Sequence, residues 1–218
     1  PGHAGQHPLV RARRCQVGQR PMMRRLTRNR SVRGVWMAST AMIARMLQQA
    51  TAFLLVIFAA RFLEPAEFGI YTVAVVVVLL LQTLTYTGLY DFIVAEKGDE
   101  RAVRATTFWL MMGLSLVGAA LLFATAPLLA RLFGAADLIG PLRWLAGNQP
   151  LAAAVAWISA VLLREDRLSV HYNVMIVQNL IALAVGLALL MTWQSVYALV
   201  AHRYARSLAG LVLYYGWC

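Results

Sequence analysis

The chain has 218 residues, of which 61% are hydrophobic and only 13% are charged, and its net charge is +11. A soluble globular domain is nearer half apolar and a quarter charged, so this composition excludes an ordinary soluble protein. The apolar residues form runs long enough to cross a hydrocarbon layer, which takes about 20 helical residues.

The chain opens with a basic arm, residues 1–33, which contains nine of its 20 Lys and Arg residues. Such an arm contacts either nucleic acid phosphates or the anionic headgroups of a cytoplasmic membrane surface. We favour anionic membrane lipids and expect no nucleic acid partner, because the arm has no aromatic residue on which a base could stack. Residues 1–21 lack hydrophobic periodicity and precede Met22 and Met23, so we expect them to be translated upstream sequence.

Six apolar segments follow and predict an all-α, polytopic membrane helix bundle of about six transmembrane helices within residues 34–218. An isolated strand would leave its backbone unpaired in lipid, and the alternation typical of barrel strands is absent. Pro150 lies early in the fourth segment and is expected to kink or shorten that helix. The helices are predicted at approximately residues 35–62, 70–90, 105–127, 144–163, 172–192 and 195–217.

The basic residues between these segments predict the orientation of the chain. With the N-terminus in the cytoplasm, the inner side carries 14 Lys and Arg residues and the outer side carries three. This distribution satisfies the positive-inside rule. Six crossings would return the C-terminus to the cytoplasm as well.

Arginines within two predicted helices indicate a polar interior. Arg45 lies near the middle of the first helix, with Gln48 and Gln49 on the same face, and Arg203 and Arg206 lie three positions apart on the sixth. A central Arg costs roughly 2.5–3.5 kcal/mol to insert, whereas each Leu returns only about 0.3–0.6 kcal/mol. We therefore expect the sixth helix to turn its arginines toward a water-filled cavity. The alternative is that these side chains extend along the lipid to the membrane boundary.

A cationic interior favours an anionic guest, because guanidinium binds phosphate oxygens in pairs and stays charged when desolvated. A pyrophosphate group is the guest we expect, and acidic polysaccharide units would also fit. Further polar residues either line the same path or hold helices together by hydrogen bonds; they are Gln82, Tyr86, Gln178 and His202. Asp91, at the inner end of the second helix, is the candidate carboxylate for coupling to an ion.

The chemistry of an enzyme is not visible in the sequence. No nucleophile motif, phosphate-binding glycine loop or metal-ligand spacing occurs. We therefore predict no catalytic residue, no metal site, no cofactor and no enzymatic activity.

The segment ARFLEPAEFGIY at residues 60–71 resembles the A-R-x-L-x-P-x-E/D-F-G-x-Y pattern of bacterial polysaccharide-lipid flippases. Weaker matches follow in the family order at residues 88–89, 108–109, 126–128 and 197–200. The resemblance is to the polysaccharide biosynthesis and lipid-linked oligosaccharide flippase family, of the O-antigen and colanic-acid exporter type, in the multidrug/oligosaccharidyl-lipid/polysaccharide exporter superfamily. The residues that match the main pattern are Arg61, Leu63, Pro65, Glu67, Phe68, Gly69 and Tyr71.

The resemblance implies a fold of two six-helix lobes around a central cavity, so we expect this chain to be the N-terminal lobe, a fragment whose second lobe is missing. It implies flipping of a polyprenyl-pyrophosphate-linked glycan across the bacterial plasma (inner) membrane, with the pyrophosphate held by Arg45, Arg203 and Arg206. One alternative is a cation-coupled drug exporter of the same superfamily, which should line its cavity with carboxylates. A membrane-embedded glycan transferase and a non-functional remnant are the others.

Overall fold

The computed structural model describes residues 20–95 and 100–217. Its secondary structure within these ranges is helical, without a strand, which confirms the all-α prediction. The chain forms two compact units, residues 1–40 and residues 41–218. Of the predicted basic arm, residues 1–19 lie outside the described residues and residues 20–33 are helical.

Five of the six predicted helical segments extend beyond their predicted bounds, because backbone hydrogen bonding continues into the neighbouring polar residues, whereas α8 keeps its predicted bounds to within one residue. In chain order the elements are α1 (Arg20–Phe62), α2 (Pro65–Gln82), a π-helical segment (Thr83–Thr87), α3 (Gly88–Ala95), α4 (Glu100–Leu132), a 3-10 turn (Ala136–Leu138), α5 (Ile139–Gly147), α6 (Gln149–Arg164), α7 (Leu168–Trp193) and α8 (Val196–Trp217).

Five stretches of the described chain are long and apolar enough to cross a membrane, with mean hydropathies from 1.4 to 2.4. The sixth predicted helix forms as α8, with 22 residues, but it is not among the five. His202, Arg203 and Arg206 lower its hydropathy, and it packs along α7. The five stretches are Ala38–Phe62, Pro65–Ala95, Ala102–Leu132, Ala136–Arg164 and Leu168–Trp193.

Three spans depart from a regular helix or from the predicted bounds. The fourth predicted helix is two helices, α5 and α6, which meet at Asn148 two residues before Pro150. Proline has no amide hydrogen to continue a helix, but it is tolerated in the first turn of the next one. Pro127 lies inside α4, which continues to Leu132. Between α2 and α3 the helix widens into a π-helical segment, where the Thr85 hydroxyl donates to Leu81 O.

The bundle buries an apolar core and also leaves many large apolar side chains on its outer surface. α7 and α8 pack closely after a tight reversal at Gln194, which has a left-handed backbone. On the outside, Phe53 of α1 is 65% exposed and Val117 of α4 is 58% exposed. Large exposed apolar surfaces are unusual on soluble monomers, and this distribution is the one expected of a helix bundle surrounded by lipid.

Candidate functional site

A cavity of about 460 Å³ lies between α1, α2, α6, α7 and α8. At about 30 Å³ per water molecule in the liquid, it has room for about 15 waters. Its wall combines apolar side chains with a similar number of polar ones, so it is more polar than most ligand pockets. The polar residues of the wall are Tyr71, Gln82, Tyr86, Asn148, Ser159, His171, Gln178, His202, Arg203, Arg206, Ser207 and Tyr214.

Helix α8 supplies the cationic part of the wall. His202, Arg203, Arg206 and Ser207 lie within two turns, and Tyr214 follows two turns later. This spacing places all five on one face of the helix. The structure therefore turns both arginines toward the cavity and not along the lipid to the membrane boundary.

Arg203 and Arg206 bring two positive charges to the cavity without an acidic neighbour. The Arg203 Nε donates a hydrogen bond of 3.2 Å to the Tyr71 hydroxyl, which fixes the plane of the guanidinium. Within the described ranges no Asp or Glu lines the cavity, and neither arginine forms a salt bridge. Two unbalanced guanidinium groups favour an anion with several oxygens.

A close approach of α7 to α8 holds this cationic face in place. His202 Nδ1 lies 2.7 Å from Ala182 O; the carbonyl can only accept, so Nδ1 carries the hydrogen. Gly186 makes room for the imidazole, since a Cβ at this position would lie 2.8 Å from His202 Nδ1. Small residues on α7 therefore determine how near α8 and its arginines lie.

Another part of the wall contains a buried histidine and tyrosine. His171 of α7 and Tyr214 of α8 are 8% and 1% exposed, and the His171 Nδ1 lies 3.1 Å from the Tyr214 hydroxyl. Their rings are nearly parallel, at 9°. This pair joins α7 to α8 about two turns beyond Arg206, so the two helices are linked by side-chain contacts on either side of the arginines.

Carboxamide side chains form the neutral polar part of the wall. Gln82 Nε2 donates to Gln149 Oε1 over 3.2 Å and so joins α2 to α6. Asn148 and Gln178 are 6% and 5% exposed, yet Asn148 Oδ1 and Gln178 Oε1 have no hydrogen-bond partner among the residues that the structure describes. Gln82 therefore holds two helices together by a hydrogen bond, whereas the Gln178 Oε1 forms no such bond to a described residue.

Three residues predicted along the substrate path, and the carboxylate predicted for ion coupling, are not in the cavity wall. Arg45, Gln48 and Gln49 lie toward the N-terminal end of the first membrane span, and the α1 part of the wall begins only at Ala52. The reason is depth along the helix: Arg45 shares a face with Ala52 but lies seven residues, about 10 Å, before it. Arg45 is exposed. Asp91 is exposed on α3, outside the wall.

The sequence analysis missed several residues of the wall, notably Asn148, His171 and Tyr214. A pair of carboxamides before Pro150, in an otherwise apolar segment, is a signal that could have indicated Asn148. His171 carried no such signal, because a single histidine at the start of a helix is common. Only the packing of α7 against α8 brings it to Tyr214.

Some residues of the family motif at positions 60–71 pack in the apolar core, and others line the cavity. Leu63 is 6% exposed and belongs to an apolar cluster with Leu55 and Leu190. Pro65 begins α2, and Glu67 lies in its first turn. Phe68 and Tyr71 line the cavity, while Arg61 and Gly69 are exposed.

Comparison with known protein families shows the family to which the chain belongs. A family model described as polysaccharide biosynthesis protein matches residues 58–218, which is well over half of the chain and includes most of the cavity wall. No curated protein and no solved structure matches the chain. With its five apolar membrane-length helices, the chain is a multi-pass membrane protein that belongs to the polysaccharide biosynthesis protein family.

Proposed function

We propose that this protein moves a polyprenyl-pyrophosphate-linked glycan across the bacterial plasma membrane, as a lipid-linked oligosaccharide flippase. The observation that carries the proposal is the pair Arg203 and Arg206, which line the cavity without an acidic partner among the described residues. A positive cavity inside a membrane bundle is costly unless an anion or water occupies it. The membership in a polysaccharide biosynthesis family supports a glycan as the cargo.

The two arginines match the size of a pyrophosphate. They are three residues apart on α8, a rise of about 4.5 Å along the helix axis. Each guanidinium can bind two phosphate oxygens, and each retains its charge when water is excluded. Arg203 is already oriented by Tyr71, whereas Arg206 has no side-chain hydrogen bond to any residue in the described part of the chain. We assign Arg206 the closer contact with the pyrophosphate.

The apolar outer face suits the remainder of such a substrate. A polyprenyl chain would stay in the lipid, alongside exposed side chains such as Phe53 and Val117, while the charged group enters the cavity. In this arrangement both termini lie in the cytoplasm, as the distribution of basic residues favours. A second six-helix lobe would lie opposite the cavity. It describes a transporter and assigns no catalytic step to any residue.

A binding experiment tests the proposal on the full chain in lipid nanodiscs, with polyprenyl pyrophosphate as the probe. Arg206→Ala removes charge-assisted hydrogen bonds worth about 1.5–3 kcal/mol, so we expect affinity to fall about 10- to 100-fold. Arg206→Lys keeps the charge but cannot bind two phosphate oxygens as a guanidinium does, so its affinity should lie between those of Arg206→Ala and the wild type. Arg131→Ala is the matched control, since Arg131 is exposed at the end of α4 and outside the wall.

Transport is measured separately, in proteoliposomes that contain a fluorescent lipid-linked oligosaccharide. We expect translocation to fall in parallel with binding for Arg203→Ala and Arg206→Ala, and to be unchanged for Arg131→Ala. Equal affinity of the wild type and Arg206→Ala for polyprenyl pyrophosphate would contradict the proposed function.

A further inference from the structure

Two buried carboxamides of the cavity wall, Asn148 and Gln178, contain a polar atom without a partner among the described residues, and so does Gln149, which is hydrogen-bonded to the wall residue Gln82. Asn148 Oδ1, Gln149 Nε2 and Gln178 Oε1 are enclosed, and none of them is hydrogen-bonded to another described residue. Buried polar groups in native proteins are almost always paired, so each exception needs an explanation. Leaving such an atom unpaired lowers stability, and an apolar side chain of similar shape would avoid that cost.

Asn148 and Gln178 line the same cavity wall as the arginine pair. Gln178 packs against Gly210, where a Cβ would come within 2.5 Å of its Oε1 and within 3.3 Å of Val155. Gly210 is one helical turn, about 6 Å, beyond Arg206 on α8. Asn148 lies seven residues before Val155 on the chain, about 10 Å along α6. Asn148 and Gln178 therefore lie at levels about 10 Å apart along α6, on the wall that also contains Arg206.

The chemistry of these groups selects an uncharged guest rich in hydroxyls. A carboxamide offers both donors and acceptors and carries no charge, and a hydroxyl likewise donates and accepts. A bare cation prefers several oxygens that include carboxylates, and the described wall contains no Asp or Glu. Since Asn148 and Gln178 both line the wall, rotation of their side chains brings the amides onto a bound group.

We propose that Gln82, Asn148 and Gln178 form a hydroxyl-binding subsite that holds the uncharged sugar units of the substrate beside the arginine pair. This inference rests on the proposed function and adds to it: the arginines bind the pyrophosphate and the amides bind the first sugars. The hydroxyls of the bound sugars supply hydrogen-bond partners to the buried amide atoms.

The experiment compares two probes, polyprenyl pyrophosphate without sugar and the same lipid with a neutral disaccharide. The full chain in nanodiscs should bind the disaccharide-bearing lipid about tenfold more tightly. Asn148→Leu and Gln178→Met remove the amides but retain similar side-chain size. Both variants should bind the two lipids with equal affinity, and their affinity for the sugar-free lipid should equal that of the wild type. Asn173→Leu is the matched control, because Asn173 is exposed on α7 and outside the wall.

Thermal unfolding separates a binding role from a structural one. Because the unpaired amides lower stability, neither Asn148→Leu nor Gln178→Met should lower the Tm of the ligand-free protein. A lower Tm in both variants would show that the amides hold the bundle together, and would overturn the subsite.

The remaining outcomes distinguish the subsite from the proposed function. If the wild type binds both lipids equally, the subsite is refuted while the proposed function stands. If the variants keep the gain from the disaccharide, the subsite is again refuted. If neither lipid binds to the wild type, the proposed function fails and the subsite fails with it.

Discussion

Replacement of Gly186 by Ala tests whether the contact of α7 with α8 positions the arginine-bearing face. A Cβ at residue 186 would lie 2.8 Å from His202 Nδ1 and 3.1 Å from His202 Cβ. The His202 Cβ is attached directly to the α8 backbone and cannot rotate away. Either His202 gives up its hydrogen bond to Ala182 O, or α8 moves away from α7.

The magnitude follows from three opposing contributions. Ala favours a helix over Gly by about 1 kcal/mol. Overpacking at a tight contact costs about 1–3 kcal/mol, and a lost hydrogen bond about 0.5–1.5 kcal/mol. The expected result is a net decrease of about 0.5–3.5 kcal/mol in the free energy of unfolding. For a chain of this size, each kcal/mol lowers the Tm by about 2–4 °C.

The assay is thermal unfolding, followed by circular dichroism in one detergent at one scan rate. Gly113→Ala is the matched control, because Gly113 lies within α4 and a Cβ there meets nothing within 4 Å. It should keep or raise the Tm, whereas Gly186→Ala should lower it and weaken binding of polyprenyl pyrophosphate. If Gly186→Ala raised the Tm as much as Gly113→Ala, the close contact at His202 would be refuted.

Three further predictions concern the cavity. Tyr71→Phe removes the acceptor of the Arg203 Nε but keeps the ring, so calorimetry should show polyprenyl pyrophosphate binding about 2- to 10-fold more weakly, the contribution of one hydrogen bond; unchanged affinity would mean that Tyr71 does not orient Arg203. Gly210→Ala should displace the flexible amide of Gln178 and abolish the gain in affinity from the disaccharide, as measured in the two-lipid experiment; a retained gain would place the sugar elsewhere. Arg45→Ala should weaken binding less than Arg206→Ala and lose its effect in high salt, because an exposed charge about 10 Å along the helix acts only through a screened field; an equal loss would place Arg45 in the binding site.

Several features of this protein could be predicted from local properties of the chain. Long apolar runs require helices in lipid, because backbone groups have no other partners there. The cost of inserting Arg203 and Arg206 predicted a helix that turns them inward, and α8 has that orientation in the structure. The motif at residues 60–71 indicated the family, which the match over residues 58–218 shows.

Other features depended on depth and on contacts between helices. Periodicity placed Arg45 on the face that continues to Ala52, but it could not show that the cavity begins about 10 Å further along α1. Likewise, the sequence could not show that Asn148 and Gln178 each contain a buried amide atom without a partner among the described residues, because this depends on the neighbouring helices.

What the sequence by itself determined, therefore, is the fold class, the membrane character and the inward face of α8, because these follow from hydropathy and from the 3.6-residue period within single helices. Only the tertiary structure decided which polar residues share one cavity. Whether a residue lines that cavity depends on its position along its helix and on the distance between neighbouring helices. Small residues such as Gly186 and Gly210 determine that distance, because they allow segments distant in the chain to pack closely.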